Sequence, residues 1–150
     1  MTPFVTAGSG FLLAVLWFDL MFDVQARSRG GADLPEEALG SISAYYRRVT
    51  TAARPMNRLI AAVMLATTVA IGIQIAVGDA PRAIGWVSLA LAGSAILLAA
   101  LRTVPNAQRL GTGTDAIDVR SRLARSVWRD HLFCLSAIAS VLAIQLLFAG

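Results

Sequence analysis

The chain has 150 residues, which is enough for about one domain, and 57% of them are hydrophobic while only 15% are charged. Ordinary soluble domains are about 45–50% apolar, and a chain of this size has too much surface to hide so many apolar side chains from water. This excludes an ordinary water-soluble enzyme, a disordered tail and a fibrous repeat. A single cysteine, Cys134, excludes a disulfide framework and a cysteine-rich zinc site. The composition is that of an integral membrane protein.

The net charge is +4, and all thirteen basic residues are arginines. Twelve of them form two groups that flank apolar segments: Arg27, Arg29, Arg47, Arg48, Arg54 and Arg58, and then Arg102, Arg109, Arg120, Arg122, Arg125 and Arg129. Arginines at the ends of apolar segments are typical of membrane topology, with anionic lipid headgroups as counterions. We therefore predict the lipid bilayer as partner, a homo-oligomer or a membrane partner subunit for protein contacts, and no nucleic acid.

Four apolar segments are long enough to cross a bilayer as helices, at about 4–22, 59–77, 83–101 and 132–149. Each approaches the roughly 20 residues that a helix needs to cross about 30 Å of hydrocarbon, and none alternates as a strand does. We predict an all-α fold in which residues 1–150 form one integral membrane domain, a four-helix transmembrane bundle of up-down-up-down order.

The arginines also predict the orientation of these spans. The connections 23–58 and 102–131 hold six arginines each, whereas the connection 78–82 holds one. The positive-inside rule places both long connections in the cytoplasm and both termini outside, in a multi-pass protein of the cell membrane.

The first long connection carries an amphipathic pattern. Asp33 is a candidate helix cap, with Pro35 in the opening turn and Glu36 three residues on. Apolar residues follow three or four apart, at Leu39, Ile42, Tyr45, Tyr46, Val49 and Ala53. We predict a surface helix over 34–53, with its tyrosines at headgroup level and Arg47, Arg48 and Arg54 near lipid phosphates.

The second long connection is interrupted at Pro105 and at the glycines of 111–114. Helical periodicity then restarts at Asp115 and continues without a breaker into the fourth span. We predict one helix of roughly 34 residues, about 50 Å long, which extends into the cytoplasm.

Small residues and amides predict where the spans touch. The small-residue stripes are Gly85, Ser88, Ala92, Ala95 and Ala99 in the third span, and Ala61, Leu65, Thr68, Gly72 and Ala76 in the second. A substrate channel lined by these residues is the alternative to helix packing. Gln74 and Gln145 are placed to hydrogen-bond across the bundle.

Asp19 is a charge about one turn inside the first span, where an unpaired carboxylate is costly, and Asp23 follows on the same side of the helix. Further polar residues fall at the same depth: Asn57, Arg58, Arg102, Asn106, Trp128, Asp130 and His131. We expect spans one and four to meet here, with Asp19 turned toward the bundle and within reach of Arg58, Arg102 or His131.

This cluster has two interpretations. It is a structural network of ion pairs and hydrogen bonds, or a small active site in which Asp19, Asp23 and His131 are catalytic candidates with acid–base roles. Metal sites in helical bundles use more ligands than one histidine and two aspartates, so we predict neither a metal nor a cofactor. An accessory, assembly or structural membrane subunit is the first functional prediction, and a small membrane enzyme for a lipophilic substrate is the second.

Two short motifs add a family resemblance. They are Pro55-Met56-Asn57 before the second span and Trp128-Arg129-Asp130-His131 at the start of the fourth. With four helices in 150 residues, the chain resembles the anthrone-oxygenase-like small membrane proteins. The resemblance covers most of the chain by layout and these motifs by residue. It implies a four-helix bundle and, as in some members, cofactor-independent oxygenation of polycyclic phenols.

Overall fold

A computed structural model describes residues 1–27 and 33–148 of the chain, and 90% helix with no strand is found there. Its long helices are α1 (Thr2–Asp23), α3 (Arg54–Val77), α4 (Arg82–Leu98) and α6 (Ile117–Phe148). The shorter ones are α2 (Glu36–Arg47) and α5 (Val104–Thr112). A 3₁₀ turn, Val24–Ala26, follows α1, and π-helical turns, Arg48–Ala52 and Ala99–Thr103, follow α2 and α4.

Among the described residues, four helical stretches are long and apolar enough to cross a membrane, namely Thr2–Ala26, Pro55–Val77, Arg82–Thr112 and Ile117–Phe148. They contain the four predicted spans, apart from residue 149, which lies outside the described residues. The chain therefore has the helices of a multi-pass membrane protein, as its composition predicts.

The four long helices pack as a ring in which α1 contacts α3 and α6, and α4 contacts the same two helices. The predicted stripe on α4 is buried from Gly85 to Ala95. Gly85 lies so close to α3 that a Cβ there would stand 2.5 Å from Cγ1 of Ile75. Close approach of this kind is what small residues provide between helices in lipid.

The predicted stripe on the second span is wrong. Ala61, Leu65 and Ala76 are exposed, whereas α3 buries Thr67, Ala70, Ile71 and Gln74. The buried side of α3 is therefore displaced by one residue, about 100° around the helix. The amide of Gln74 lies on this buried side and finds its partner there, Gln145 of α6.

A second apolar core lies at the end of the bundle that holds residues 23–27, 33–58 and 102–131, called here the arginine-rich end. Leu39 and Ile42 of α2 are fully buried there against Leu110 of α5 and Val127 of α6. The helix predicted in this connection is present, but its apolar side packs on protein, whereas the sequence pattern placed it on lipid headgroups. Its position at a membrane surface stays a prediction.

The start of α2 also differs from the predicted capping box. Pro35 occupies the cap position and no side chain caps the helix, so the prediction of an Asp33 cap is wrong. The residues just before α2 are held by α6 instead, because the backbone N–H of Leu34 donates to the hydroxyl of Ser121 at 2.9 Å.

The predicted interruption at Pro105 is wrong as well, because helix continues from Arg82 to Thr112. Proline lacks an N–H and its ring collides with the carbonyl four residues earlier. The wider π-helical turn Ala99–Thr103 comes directly before α5, and Pro105 is the second residue of that helix. The helix ends at Thr112 instead, and the next residue, Gly113, adopts a left-handed conformation with φ of 68°.

Candidate functional site at the arginine-rich end

Two carboxylates of α1 and the one histidine of the chain meet at the arginine-rich end. The Nδ1 atom of His131 lies 2.6 Å from Oδ2 of Asp23, and its Nε2 atom lies 3.9 Å from Oδ2 of Asp19. Asp23 is 1% exposed and His131 is 8% exposed. Spans one and four therefore meet here, as expected from the depth of Asp19.

Two adjacent tyrosines of α2 complete this group. The hydroxyl of Tyr45 donates to Oδ1 of Asp19 at 2.6 Å, and that of Tyr46 donates to Oδ1 of Asp23 at 2.5 Å. The ring of Tyr45 also stacks on Phe22 with 4.0 Å between centroids. We call Asp19, Asp23, Tyr45, Tyr46 and His131 the acid–histidine cluster.

Electrostatic effects in the cluster keep both tyrosine hydroxyls protonated, so that each acts as a hydrogen-bond donor. Burial raises the pKa of Tyr46 far above its usual value, and the negative charges of Asp23 and Asp19 raise it further. Burial, followed by the charge of Asp19, raises the pKa of Tyr45 in the same way. Both hydroxyls therefore stay protonated at neutral pH, and the two aspartates are the acceptors.

The cluster has the groups that acid–base chemistry needs. When the Nδ1 hydrogen of His131 is donated to Asp23, the Nε2 atom of the ring is left as an acceptor on the side of Asp19. An imidazole oriented by a carboxylate in this way has the geometry of a general acid or base. The same contacts serve equally well as a purely structural lock between helices.

A second polar group lies on α6 beside the cluster. Asp130 is 4% exposed; its Oδ2 atom lies 3.3 Å from Nε of Arg102 and accepts from the hydroxyl of Thr103 at 3.4 Å. Arg102 also donates to Ser126 at 2.9 Å, and Asn106 approaches the same hydroxyl at 3.5 Å. Arg102, Asn106 and Asp130 are thus brought together, but away from Asp19.

The other residues predicted for this depth lie apart from the cluster. Asn57 is exposed and donates to the carbonyl of Val49 at 2.5 Å, and Arg58 is exposed on α3. Trp128 is half-buried against the second apolar core. Of the cations expected near Asp19, only His131 comes within 4 Å of it in the described part of the chain.

The arginines predicted at lipid headgroups are accessible where they can be described. Arg47 and Arg48 are exposed at the end of α2 and in the turn after it. The side chain of Arg54 lies outside the described part of the chain.

Sequence reasoning missed the tyrosines as members of the site and placed them at headgroup level. A usable signal was present, because a buried tyrosine hydroxyl needs a partner and two buried carboxylates need donors. It also missed the ion pair between Arg120 of α6 and Glu36 of α2, at 2.8 Å, which holds the start of α2.

At the opposite end of the bundle the amide prediction is confirmed. Gln74 and Gln145 are fully buried and donate to each other at 3.0 and 3.1 Å. Gln145 also donates to Ser88 of α4, and Gln74 to Thr2 of α1, both at 3.1 Å. This amide clasp joins all four long helices.

Within residues 1–27 and 33–148, no group of three histidine, cysteine or acidic side chains is arranged to hold a metal ion. No family model matches the chain, and neither a curated protein nor a solved structure is found that is similar to it. The resemblance to the anthrone-oxygenase-like proteins therefore depends on the four-helix layout and the two motifs alone. Of these, His131 lies in the acid–histidine cluster, whereas Asn57 does not.

Proposed function

We propose that this chain is a non-enzymatic membrane protein, an accessory, assembly or structural subunit, in which the acid–histidine cluster locks α1, α2 and α6 together. One observation carries the proposal: three hydrogen bonds within the cluster join α1 to α2 and α1 to α6. Each carboxylate accepts a tyrosine hydroxyl from α2, and Asp23 also binds His131 from α6. Buried polar networks that are satisfied in this way make an arrangement rigid and specific.

The position of open space supports the same proposal. An active site within a helical bundle needs a cleft or cavity through which the substrate reaches the reactive atoms. Two surface grooves, of about 500 Å³ and about 410 Å³, lie elsewhere, one between α5 and α6 and one between α3 and α4. Neither is lined by a member of the acid–histidine cluster.

Purification in mild detergent tests this role. The tagged chain is recovered from its native membrane, and the proteins and lipophilic molecules that remain bound are identified and counted by mass spectrometry. We expect a membrane protein, or a second copy of the chain, in a fixed ratio. A lipophilic molecule other than a phospholipid, of one chemical class and at one per chain, with no protein partner, would contradict the proposal.

The second candidate is a small, oxygenase-like membrane enzyme that takes a lipophilic substrate from the bilayer. The side chain of Asp19 favours it, because 19% of that side chain is exposed, next to the exposed aromatic rings of Phe18 and Phe22. A substrate that entered between these rings would meet Asp19 first, with Nε2 of His131 behind it. In this role Asp19 and His131 would exchange a proton with the substrate.

We also infer the orientation in the bilayer. The arginine-rich end lies in the cytoplasm and both termini lie outside the cell membrane, with the four helices crossing in up-down-up-down order. The distribution of arginines supports this, since the two long connections carry twelve and the short one carries Arg82 alone.

A further inference from the structure

A groove with a strongly basic lining runs between α5 and the first half of α6. Its volume is about 500 Å³ and its lining residues are Asn106, Arg109, Val119, Arg122, Leu123, Arg125, Ser126 and Arg129. Four of the eight are arginines and none is acidic. We call it the arginine groove.

Two of the arginines in this groove pair with carboxylates toward its outer end. Arg109 binds both oxygens of Asp115 at 2.9 Å, and Arg122 binds Asp118 at 2.8 Å. Arg129 is exposed, and no carboxylate of the described residues lies within 4 Å of it. Arg129, at the end of the groove toward the apolar half of α6, therefore keeps a positive charge that no carboxylate of the described residues pairs with, whereas Arg102 nearby is paired with Asp130 at 3.3 Å.

Neutral donors lie beside that charge. The amide of Asn106 and the hydroxyl of Ser126 line the same part of the groove, and Arg102 approaches Ser126 from the side. Guanidinium groups with additional neutral donors are the set that binds phosphate oxygens, since arginine can donate two parallel hydrogen bonds to them.

The inner end of the groove opens on an apolar surface. Arg129 is followed on α6 by Leu132 and Phe133, which are 38% and 48% exposed. On the other side of the groove, Leu101 is 77% exposed and comes directly before Arg102. A molecule with a charged head in the groove would therefore lay its apolar part along these side chains.

We propose that the arginine groove binds the phosphate group of an anionic phospholipid, with acyl chains against Leu101, Leu132 and Phe133. Basic pockets between transmembrane helices are suited to such headgroups, and each arginine near the membrane surface attracts anionic lipid. This site does not depend on the proposed function, because it shares no residue with the acid–histidine cluster.

Reconstitution in nanodiscs tests the site. The probe lipid is phosphatidylglycerol, titrated into discs of phosphatidylcholine, and the readouts are the melting temperature and the lipid retained in native mass spectrometry. We expect phosphatidylglycerol to raise the melting temperature of the wild type and to be retained. In Arg129→Gln the apparent affinity should fall about fivefold or more, which is the effect of one arginine at a membrane surface.

The matched control is Arg58→Gln. It removes the same charge from an exposed arginine at the start of another span, outside the groove, and so reports any loss that comes from net charge alone. We expect this variant to keep the affinity of the wild type. Equal losses in the two variants would overturn the proposal, since they would reflect surface charge alone. Both side chains are exposed, and the melting temperature in pure phosphatidylcholine checks that folding is intact.

A control experiment with soluble anions distinguishes binding of a phospholipid from binding of free phosphate. Inorganic phosphate and glycerol phosphate are added to the protein in phosphatidylcholine discs at matched concentrations. We expect neither to raise the melting temperature as phosphatidylglycerol does, because neither buries an apolar chain. Stabilisation by the soluble anions equal to that by the lipid would overturn the assignment of a phospholipid.

Discussion

Asp23 is the carboxylate on which the acid–histidine cluster depends most. It is 1% exposed, one of its oxygens accepts from Tyr46 and the other lies against His131. A buried charge is tolerated only when its partners are in place, because each unmet bond leaves the cost of taking that group out of water. A substitution at Asp23 should therefore destabilise the protein more than a substitution at any exposed acidic residue.

We expect Asp23→Asn to lower the free energy of unfolding by about 2–3 kcal/mol, the usual range for hydrogen bonds to a charged group. Asparagine keeps the shape but removes the charge that His131 and Tyr46 require. Thermal unfolding in detergent measures the change. Asp118→Asn is the control, since its pair with Arg122 is exposed, and it should cost less than about 0.5 kcal/mol. Equal effects would mean that the cluster adds nothing beyond surface pairing.

Asp19 distinguishes the two candidate functions. Under the structural proposal, Asp19→Asn should lower the melting temperature, but by less than Asp23→Asn, because the Asp19 side chain is 19% exposed and lies 3.9 Å from His131. The function of the intact cell should follow stability. A variant with the melting temperature of the wild type and no cellular function would favour the enzyme instead, since only a proton acceptor would have been lost.

Tyr46 makes the fold sensitive to high pH. In the unfolded chain its hydroxyl ionises near pH 10, whereas in the fold burial and the charges of Asp23 and Asp19 raise its pKa. The protonated tyrosine therefore contributes its full stability below about pH 10, and the contribution is lost as pH rises above that value.

We expect the melting temperature of the wild type to fall between about pH 10 and pH 11.5, and to fall less in Tyr46→Phe, which has no proton to lose. In Tyr45→Phe the melting temperature should fall over this pH range by more than in Tyr46→Phe, because Tyr45 is only half-buried and its loss removes less of the effect. Melting curves in detergent across this range provide the measurement. Identical slopes for the wild type and Tyr46→Phe would show that Tyr46 ionises as freely in the fold as outside it.

At the scale of elements, α2 is held by an unusually close contact with α5. A Cβ built on Gly111 would stand 2.8 Å from the backbone nitrogen of Arg47, and backbone cannot move aside as a flexible side chain can. Gly111 therefore sets how deeply Leu39 and Ile42 enter the second apolar core.

We expect Gly111→Ala to destabilise the protein by about 1–3 kcal/mol, the cost of forcing atoms into a packed contact. Gly40→Ala is the matched control on α2, because nothing lies within 4 Å of its added Cβ. That change should stabilise by about 0.5–1 kcal/mol, since glycine is unfavourable inside a helix. Chemical unfolding in detergent compares the two, and a neutral Gly111→Ala would show that α2 is free to shift.

The sequence predicts some elements and contacts well for identifiable reasons. The four spans follow from uninterrupted apolar length, and Gln74 with Gln145 could be paired because an amide in lipid needs a partner. Pro105 was misjudged because the π-helical turn that accommodates it has no strong local signal. Tyr45 and Tyr46 were missed because the need for a partner does not say which carboxylate each hydroxyl reaches; that depends on where the connection after α1 returns α2 to the bundle.

At the scale of the whole molecule, different kinds of polar interaction join the helices at the two ends of the bundle. The amide clasp of Gln74 and Gln145 is neutral, whereas the arginine-rich end combines the acid–histidine cluster with ion pairs from Arg102 and Arg120. Neutral amides exert no preference for one side of a membrane, so only the arginines determine the orientation.

We expect a reporter that is active only in the cytoplasm to give no signal when fused after Gly150, and to give a strong signal when inserted at Gly113, in the turn between α5 and α6. The twelve arginines of the two long connections are the physical reason. Matched expression levels serve as the control. Strong signal from the C-terminal fusion and none from Gly113 would reverse the orientation.

The burial of α2 has a consequence for biosynthesis. A ribosome releases Leu39 and Ile42 long before Leu110 and Val127, which cover them in the finished fold. Throughout that interval the apolar side of the nascent α2 has no protein to pack against, and the bilayer surface beside the translocon is the nearest apolar phase. We therefore expect α2 to occupy the predicted headgroup position until α5 and α6 have been made, and to dock on them late in assembly.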